Sequence, residues 1–332
     1  MCTAITWDNG DFYFGRNMDI CYNFAERVII TPSNYPITFK CHETITTHYP
    51  IIGMGSVIDN YPLYAEAMNN QGLGVAGLNF PRYAHYHSEI SDDKANITPY
   101  EFILWILAKC KTVDEAIPLI QSMQFYALAF KEGLPLATLH FMLADKNKSV
   151  VVEPLKEGIK IYDNPVGAMT NNPTFDFHLT NLSNYLNISP VEATNTFCTQ
   201  FPLQPLGHGS GGLGLPGDTT TVSRFIRIVF HKLNSNCEKS ESCNVGHFMH
   251  LLSTVEVPKG CARDENGLSD YTTYSSCMNM SQSIYYYKTY TNHQLTAVKL
   301  NDESGNELLQ FPLRKEENIY YETSYKEGFN DL

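Results

Sequence analysis

The stretch Cys2–Asp19, CTAITWDNGDFYFGRNMD, decides how the rest of the chain is read. Two runs of β-branched and aromatic residues flank Asp8-Asn9-Gly10, and an Asn-Gly pair tolerates the positive φ of a tight hairpin turn. The hairpin opens on a thiol directly behind the initiator. Met1 is removable when the following side chain is small, and its loss leaves Cys2 with a thiol and a free α-amine on one residue. Reference pKa values of about 8.5 and about 7.7–8.0 place both groups near neutrality, so the amine can accept the thiol proton as a local base. The return strand carries Arg16, a cation that favours a thiolate, and Asp19, a carboxylate able to orient an ammonium. Taken singly, the three residues read equally well as a small terminal residue, a solvated charge and a turn residue.

The surrounding composition is that of a folded globular protein, 43% hydrophobic and 17% charged over 332 residues, which suits one large domain or two ordinary ones. A formal charge of −12 argues against a nucleic-acid backbone or an anionic membrane surface as the main partner, while leaving a small anionic substrate open. The nine cysteines are odd in number, scattered and without a CxxC pair, which fits reduced thiols in a cytoplasm better than a disulfide framework or a zinc site. No basic-then-apolar leader opens the chain, and no segment approaches the roughly 20 apolar residues of a membrane span. A cytoplasmic address is expected. No internal repeat or linker divides the chain.

A second hairpin, LYAEAMNNQGLGVAGLNF (63–80), is predicted to turn near Asn70-Gln71-Gly72, although its left arm also admits a helix. Thr98-Pro99-Tyr100-Glu101 and Thr112-Val113-Asp114-Glu115 match capping boxes, the first with proline at the opening helical position. Short strands follow in ATLHFMLAD, KSVVVEP, GIKIYD and GAMTNN. VSRFIRIVFHKL is helical by period, with Val222, Phe225, Ile226, Val229 and Leu233 on one face. SIYYYKTY and HQLTAVKL predict a further hairpin. Blocks of strands alternating with helix pairs indicate a layered α+β fold.

Other motifs carry less. GHGSGG (207–212) matches G-x-G-x-x-G, but a proline-rich segment precedes it and Pro216 follows, so a flexible glycine-rich surface loop is expected. His247 and His250, like His85 and His87, lack an HExxH arrangement or partner carboxylate, and no metal site is expected. The run Tyr285–Tyr287 reads as an aromatic packing strand, and no G-x-S-x-G elbow occurs.

CTAITW followed by FGRNMD resembles the start of the choloylglycine hydrolase family of N-terminal-nucleophile amidases. The similarity continues in order through YPLYAEAMNNQGLGVAGLNFP, TNNPTFDFHLTNL, GLGLPGD, SRFIR and SSCMNMSQSIYYYKTY, over nearly the whole chain. The resemblance implies a four-layer αββα sandwich with two stacked antiparallel sheets, formed by a single domain over residues 2–332 once Met1 is removed. It also implies no metal or organic cofactor, and assembly as a homotetramer. Carried over by motif, Cys2 is the nucleophile with its α-amine as base, Arg16 adjoins the thiol, and Asp19 holds the amine. Asn79 and Asn171 are the oxyanion donors, and Arg224 supports the charged network. Without the resemblance both asparagines read as turn residues.

The family's main branches are similar to bile salt hydrolases and penicillin V acylases, and asparagine at position 79 looks like the bile salt branch. The implied substrates are bile salts conjugated to glycine or taurine. Met18, Ile58, Ala65, Phe130, Leu134 and Ala137 are the implied lining of the steroid pocket, each of which alone reads equally as ordinary core. FYALAFKEGLPLAT (125–138) departs from the family in detail. A penicillin V-type acylase and a non-catalytic binding protein that retains the fold are the competing readings.

Overall fold

The computed structural model describes residues 1–264, 266–301 and 303–322. Strands β1 (Cys2–Asn9) and β2 (Asp11–Ile20) form the expected hairpin, with Gly10 at φ +93° in its turn. β3 (Arg27–Thr31), β4 (Ile51–Ile58), β5 (Tyr61–Asn69) and β6 (Gly74–Asn79) follow as an antiparallel meander. The arm that admitted a helix is thus a strand. The parallel pair β7 (Ala95–Ile97) and β8 (Met123–Phe125) brackets helices α1 (Phe102–Lys109) and α2 (Val113–Gln121). Next come β9 (Leu139–Ala144), β10 (Ser149–Leu155), β11 (Gly158–Asp163) and β12 (Ala168–Met169), then α3 (Phe175–Asn181), α4 (Thr221–Asn234) and α5 (Glu241–Ser253). β13 (Ala262–Arg263), β14 (Ser269–Asn279), β15 (Ile284–Thr289), β16 (Asn292–Lys299) and β17 (Leu309–Pro312) complete the order.

One large sheet runs β12-β1-β2-β14-β15-β16, with β13 on β14; the other runs β11-β10-β9-β6-β5-β4-β3-β17. Both are antiparallel throughout. The strand RVIIT is an unbroken apolar run because both of its faces are covered. Val28 and Ile30 join the core between the sheets, with Ile52, Met54 and Leu78, whereas Ile29 belongs with Ile51, Val75 and α1. Helix α1 is apolar all round from Phe102 to Ala108, the enclosed part, and exposes only its last residue, Lys109. Phe225, Ile228, Phe248 and Leu252 of α4 and α5 cover the first sheet. The layers are therefore αββα.

Two local expectations need correction. Helix α1 starts at Phe102, so Thr98 is not its N-cap. The Thr98 hydroxyl and backbone N–H both donate to Glu101 Oε2 (2.7 and 3.0 Å), and Oε1 accepts from Lys40 N (2.5 Å). The buried carboxylate draws the hydroxyl to itself and delays the helix. Thr112, by contrast, caps α2 by accepting from Glu115 N at 3.2 Å. In α4, Phe225, Ile226 and Val229 are buried as expected, joined by Arg224 and Ile228, while Leu233 is 58% exposed. The stripe is rotated because the helix aims Arg224 at the chain start. Gly207–Gly212 lies in a largely exposed loop ending in a single tight turn, Ser210–Gly212.

All nine cysteines are free. Among the described residues no helix is long and apolar enough to cross a membrane, and no His/Cys/Asp/Glu group could hold a metal ion.

Candidate active site

The glycine of FGRN has a steric reason. A Cβ at Gly15 would meet the Ser276 carbonyl oxygen at 2.1 Å, so only glycine lets β2 lie this close to β14. The next residue, Arg16, is completely buried and reaches from the first sheet into the second. Its Nη1 donates to the carbonyls of Gly77 (2.5 Å) and Ala65 (3.3 Å), and lies 3.7 Å from Glu66 Oε2. A bulge prepares this contact: pairing jumps from Met54↔Glu66 to Gly55↔Tyr64, leaving Ala65 as the extra residue. Burial opposes the charge on Arg16, but Cys2 and Glu66 outweigh it and hold the guanidinium above its ordinary pKa.

Cys2 is buried, its Sγ 4.0 Å from the sulfur of Met18 directly across the hairpin. Its backbone N–H donates to Asn171 Oδ1 at 2.7 Å. Asn171 is brought there by β12, which pairs Met169 with Ala4 of β1. Arg224, also fully buried, donates through Nη1 to the Cys2 carbonyl (2.5 Å) and Thr3 Oγ1 (2.6 Å), and through Nη2 to Asn171 Oδ1 (2.9 Å). Asp19 accepts from Thr272 Oγ1 at 2.6 Å on one oxygen. The other, Oδ2, lies 4.0 Å from Arg224 Nη1 and, though buried, has no hydrogen-bond partner among the described residues. Burial raises the Asp19 pKa, with Arg224, the amino terminus and Thr272 opposing it.

With Met1 in place the α-ammonium does not meet the Asp19 carboxylate. It donates to the Asp19 backbone carbonyl (2.6 Å) and to Asp270 Oδ2 (3.3 Å). The Cys2 nitrogen is a peptide N–H in this state. Asn79 ends β6 at the exposed rim, and its carbonyl accepts from Asn171 Nδ2 at 2.7 Å while its Oδ1 accepts from Thr138 Oγ1 at 3.1 Å. Five of the expected residues thus form one buried cluster, Cys2, Arg16, Asp19, Asn171 and Arg224, with Asn79 bonded to its edge.

The expected pocket residues are less united. Met18 touches the thiol, and the Ala65 carbonyl touches Arg16. Ile58 pairs with Tyr61, whose ring packs on Phe130 with centroids 5.5 Å apart. Leu134 and Ala137 lie on the exposed stretch 131–137. Sequence reasoning missed Thr3, Glu66, Asp270 and Thr272. Of these, Glu66 alone gave a signal, a carboxylate inside the apolar run YAEAM.

Two missed histidines support Asn171. The Nε2 atoms of His178 and His140 lie 3.0 Å from the carbonyls of Asn171 and Thr170. Since Nε2 carries the proton that each carbonyl accepts, His140 Nδ1 presents its lone pair to Glu153 Oε1, 3.3 Å away. The buried pair is neutral when Glu153 keeps its proton. Burial accordingly pushes His140 down to about 3 and Glu153 up to about 8. A raised carboxyl pKa means that the folded chain holds a proton which the unfolded chain releases. Its contribution to stability is complete below the ordinary value of 4.5 and falls as pH rises toward about 8. His140 acts in the opposite sense only below its ordinary 6.5. Glu153→Gln, neutral and still a donor, should therefore flatten the fall in melting temperature between about pH 6.5 and 8. An unchanged slope would show Glu153 ionised in the fold.

The two sheets and their helical covers are the αββα sandwich of the N-terminal nucleophile hydrolases. Residues 2–309 match the family model described as linear amide C–N hydrolases, choloylglycine hydrolase family. The chain is 47% identical over 322 residues to a bile salt hydrolase/transferase of Lactiplantibacillus plantarum, covering 96% of this chain and 99% of the relative. A crystal structure of the C2A mutant of conjugated bile acid hydrolase from Clostridium perfringens superposes with a TM-score of 0.91 at 38% identity, over 97% of this chain and 99% of that one. A penicillin V acylase from Agrobacterium tumefaciens shares the fold, with a TM-score of 0.75 at 18% identity over 95% and 92% of the two chains. The chain belongs to the choloylglycine hydrolase family of linear amide C–N hydrolases.

Proposed function

We propose that this enzyme hydrolyses the amide joining a bile acid to glycine or taurine, through a thioester on Cys2. The observation that carries the mechanism is the enclosure of Cys2 by Arg16, Asn171 and Arg224, with the open Asp19 oxygen close by. The full-length likeness to a relative named bile salt hydrolase/transferase supports the substrate.

Removal of Met1 turns the Cys2 nitrogen into the free amine, held by Asn171 Oδ1 and given a counter-ion in Asp19. The amine takes the thiol proton, and the sulfur attacks the amide carbon. The negative charge that builds on the carbonyl oxygen is received by amide N–H groups of Asn79 and Asn171, neutral donors that need not titrate. One Asn171 Nδ2 proton is already directed to the Asn79 carbonyl, which leaves the other for this task. The ammonium returns its proton to the departing glycine or taurine nitrogen. Water, deprotonated by the same amine, then cleaves the thioester, and the thiol is regenerated as the bile acid leaves. No metal or organic cofactor enters these steps.

Met18, Ile58, Ala65, Phe130, Leu134 and Ala137 receive the steroid, whose burial contributes about 25 cal/mol per Å² of apolar area. The catalytic unit is one domain beginning at Cys2, and nine free thiols support a cytoplasmic address. Exposed apolar residues between Leu186 and Leu213, Phe197 and Leu206 among them, support self-association, and the homotetramer rests on the family resemblance, which light scattering would test. The deciding experiment compares kcat/KM on glycine and taurine conjugates with kcat/KM on penicillin V. Higher values on the conjugates are expected, and a clear penicillin preference would overturn the substrate assignment.

A further inference from the structure

Building on the Cys2 mechanism above, we propose that Glu66 is a positioning residue: it fixes Arg16 beside Cys2 and limits how strongly that cation draws the thiol toward thiolate. Glu66 is completely buried between the sheets, where an unpaired carboxylate is strongly disfavoured. Its Oε2 accepts from Tyr274 OH at 2.9 Å and its Oε1 from Tyr285 OH at 2.5 Å, with Arg16 Nη1 3.7 Å away. Two oxygens that both accept, beside a guanidinium, are the pattern of an ionised carboxyl. Burial pushes both phenols well above their ordinary pKa, so they remain donors. Burial also raises Glu66 itself, against Arg16 and the two phenols.

The bulge at Ala65 makes this possible. It turns Ala65 and Glu66 toward the same inter-sheet layer, while Tyr64 and Ala67 join the opposite core. The buried charges then balance. Arg16 and Arg224 are positive, and Glu66 and Asp19 are the carboxylates nearest them. Without Glu66 the cluster carries one uncompensated positive charge, at Arg16.

The sign of the effect follows. In Glu66→Gln, Arg16 no longer shares its charge with a carboxylate, and the repulsion between that carboxylate and a thiolate disappears. Both changes favour the thiolate. The other groups around Cys2 are Asp19 of β2, Arg224 of α4, Asp270 and Tyr274 of β14, and Tyr22 just beyond β2. His140 faces Arg16 and His178 faces Arg224. Of these, Tyr274 donates to Glu66 Oε2, a bond that a glutamine oxygen can still accept, and the others keep their charges.

The test is the pH dependence of Cys2 alkylation by iodoacetamide, read on the N-terminal peptide by mass spectrometry after intact mass has confirmed loss of Met1. In Glu66→Gln the pH of half-maximal rate should fall by about one unit, a change of the size produced by one nearby charge. Glu66→Asp, which keeps the charge, should restore most of the original midpoint. Tyr285→Phe, which withdraws one donor from Glu66 and leaves its charge less neutralised, should move the midpoint up by a smaller amount. A folded Glu66→Gln protein whose midpoint stays or rises would overturn the proposal. Should that variant not fold, an unmoved midpoint in Tyr285→Phe would do so. Alkylation involves no bile salt, so a failure of the substrate assignment leaves this result readable.

Discussion

Cys2→Ala should give a folded protein that releases no measurable glycine or taurine from a conjugated bile salt. The substitution removes one sulfur whose close side-chain neighbour is Met18, 4.0 Å away. The bonds that place the residue run through its backbone: the nitrogen to Asn171 and the carbonyl from Arg224. They survive the change, as does the α-amine. The loss therefore isolates the nucleophile, and removal of a nucleophile from a cooperating set costs on the order of 10⁶-fold in kcat. Amino-acid release measured at saturating substrate, with a thermal melt as folding control, is sufficient. Full turnover in the alanine variant would sink the thioester mechanism.

Asn171→Ala should lower kcat by about 100- to 1,000-fold, the usual effect of deleting one oxyanion donor. KM should change little, because the lost bond forms with charge that exists only after attack. The structure gives reason to expect the upper part of that range. Asn171 also supplies the oxygen that accepts from the Cys2 nitrogen and from Arg224, so its removal loosens both base and cation. Steady-state kinetics that separate kcat from KM decide the matter. A raised KM with kcat preserved would make Asn171 a binding residue instead.

The site was legible where its parts share one hairpin. Cys2 and Arg16 sit on facing strands around an Asn-Gly turn, and a period of two puts them on one face, whereas Asp19, three residues on, falls on the other face beside Arg224. Arg224 is 222 residues from Cys2, and nothing in a helical stripe distinguishes an arginine aimed inward from a solvated one. Asn79 and Asn171 were likewise placed by resemblance, since one ends a short strand and the other lies two residues past one, as turn residues would. The second hairpin was ambiguous for a physical reason. Its bulge turns two successive residues, Ala65 and Glu66, to the same side, which breaks the strict alternation by which a strand is known. The same irregularity hides which face Glu66 occupies, although the carboxylate itself stands out in YAEAM. Thr98 misled because half of its capping box is present: Glu101 Oε2 accepts from Thr98 N–H, but the Thr98 hydroxyl donates to the same carboxylate instead of accepting from a backbone N–H of the helix.

The amine of Met1 resting against Asp270 has a practical side. On the proposed mechanism, a culture making this chain contains two populations, of which only the clipped one turns over. Rapid expression that outruns the host aminopeptidase would dilute the working molecules with silent ones that chromatography does not separate by size. Specific activity would then vary from batch to batch at constant purity. The effective dose of enzyme is governed by how fast one residue is trimmed, and titration of reactive Cys2 counts the competent molecules directly.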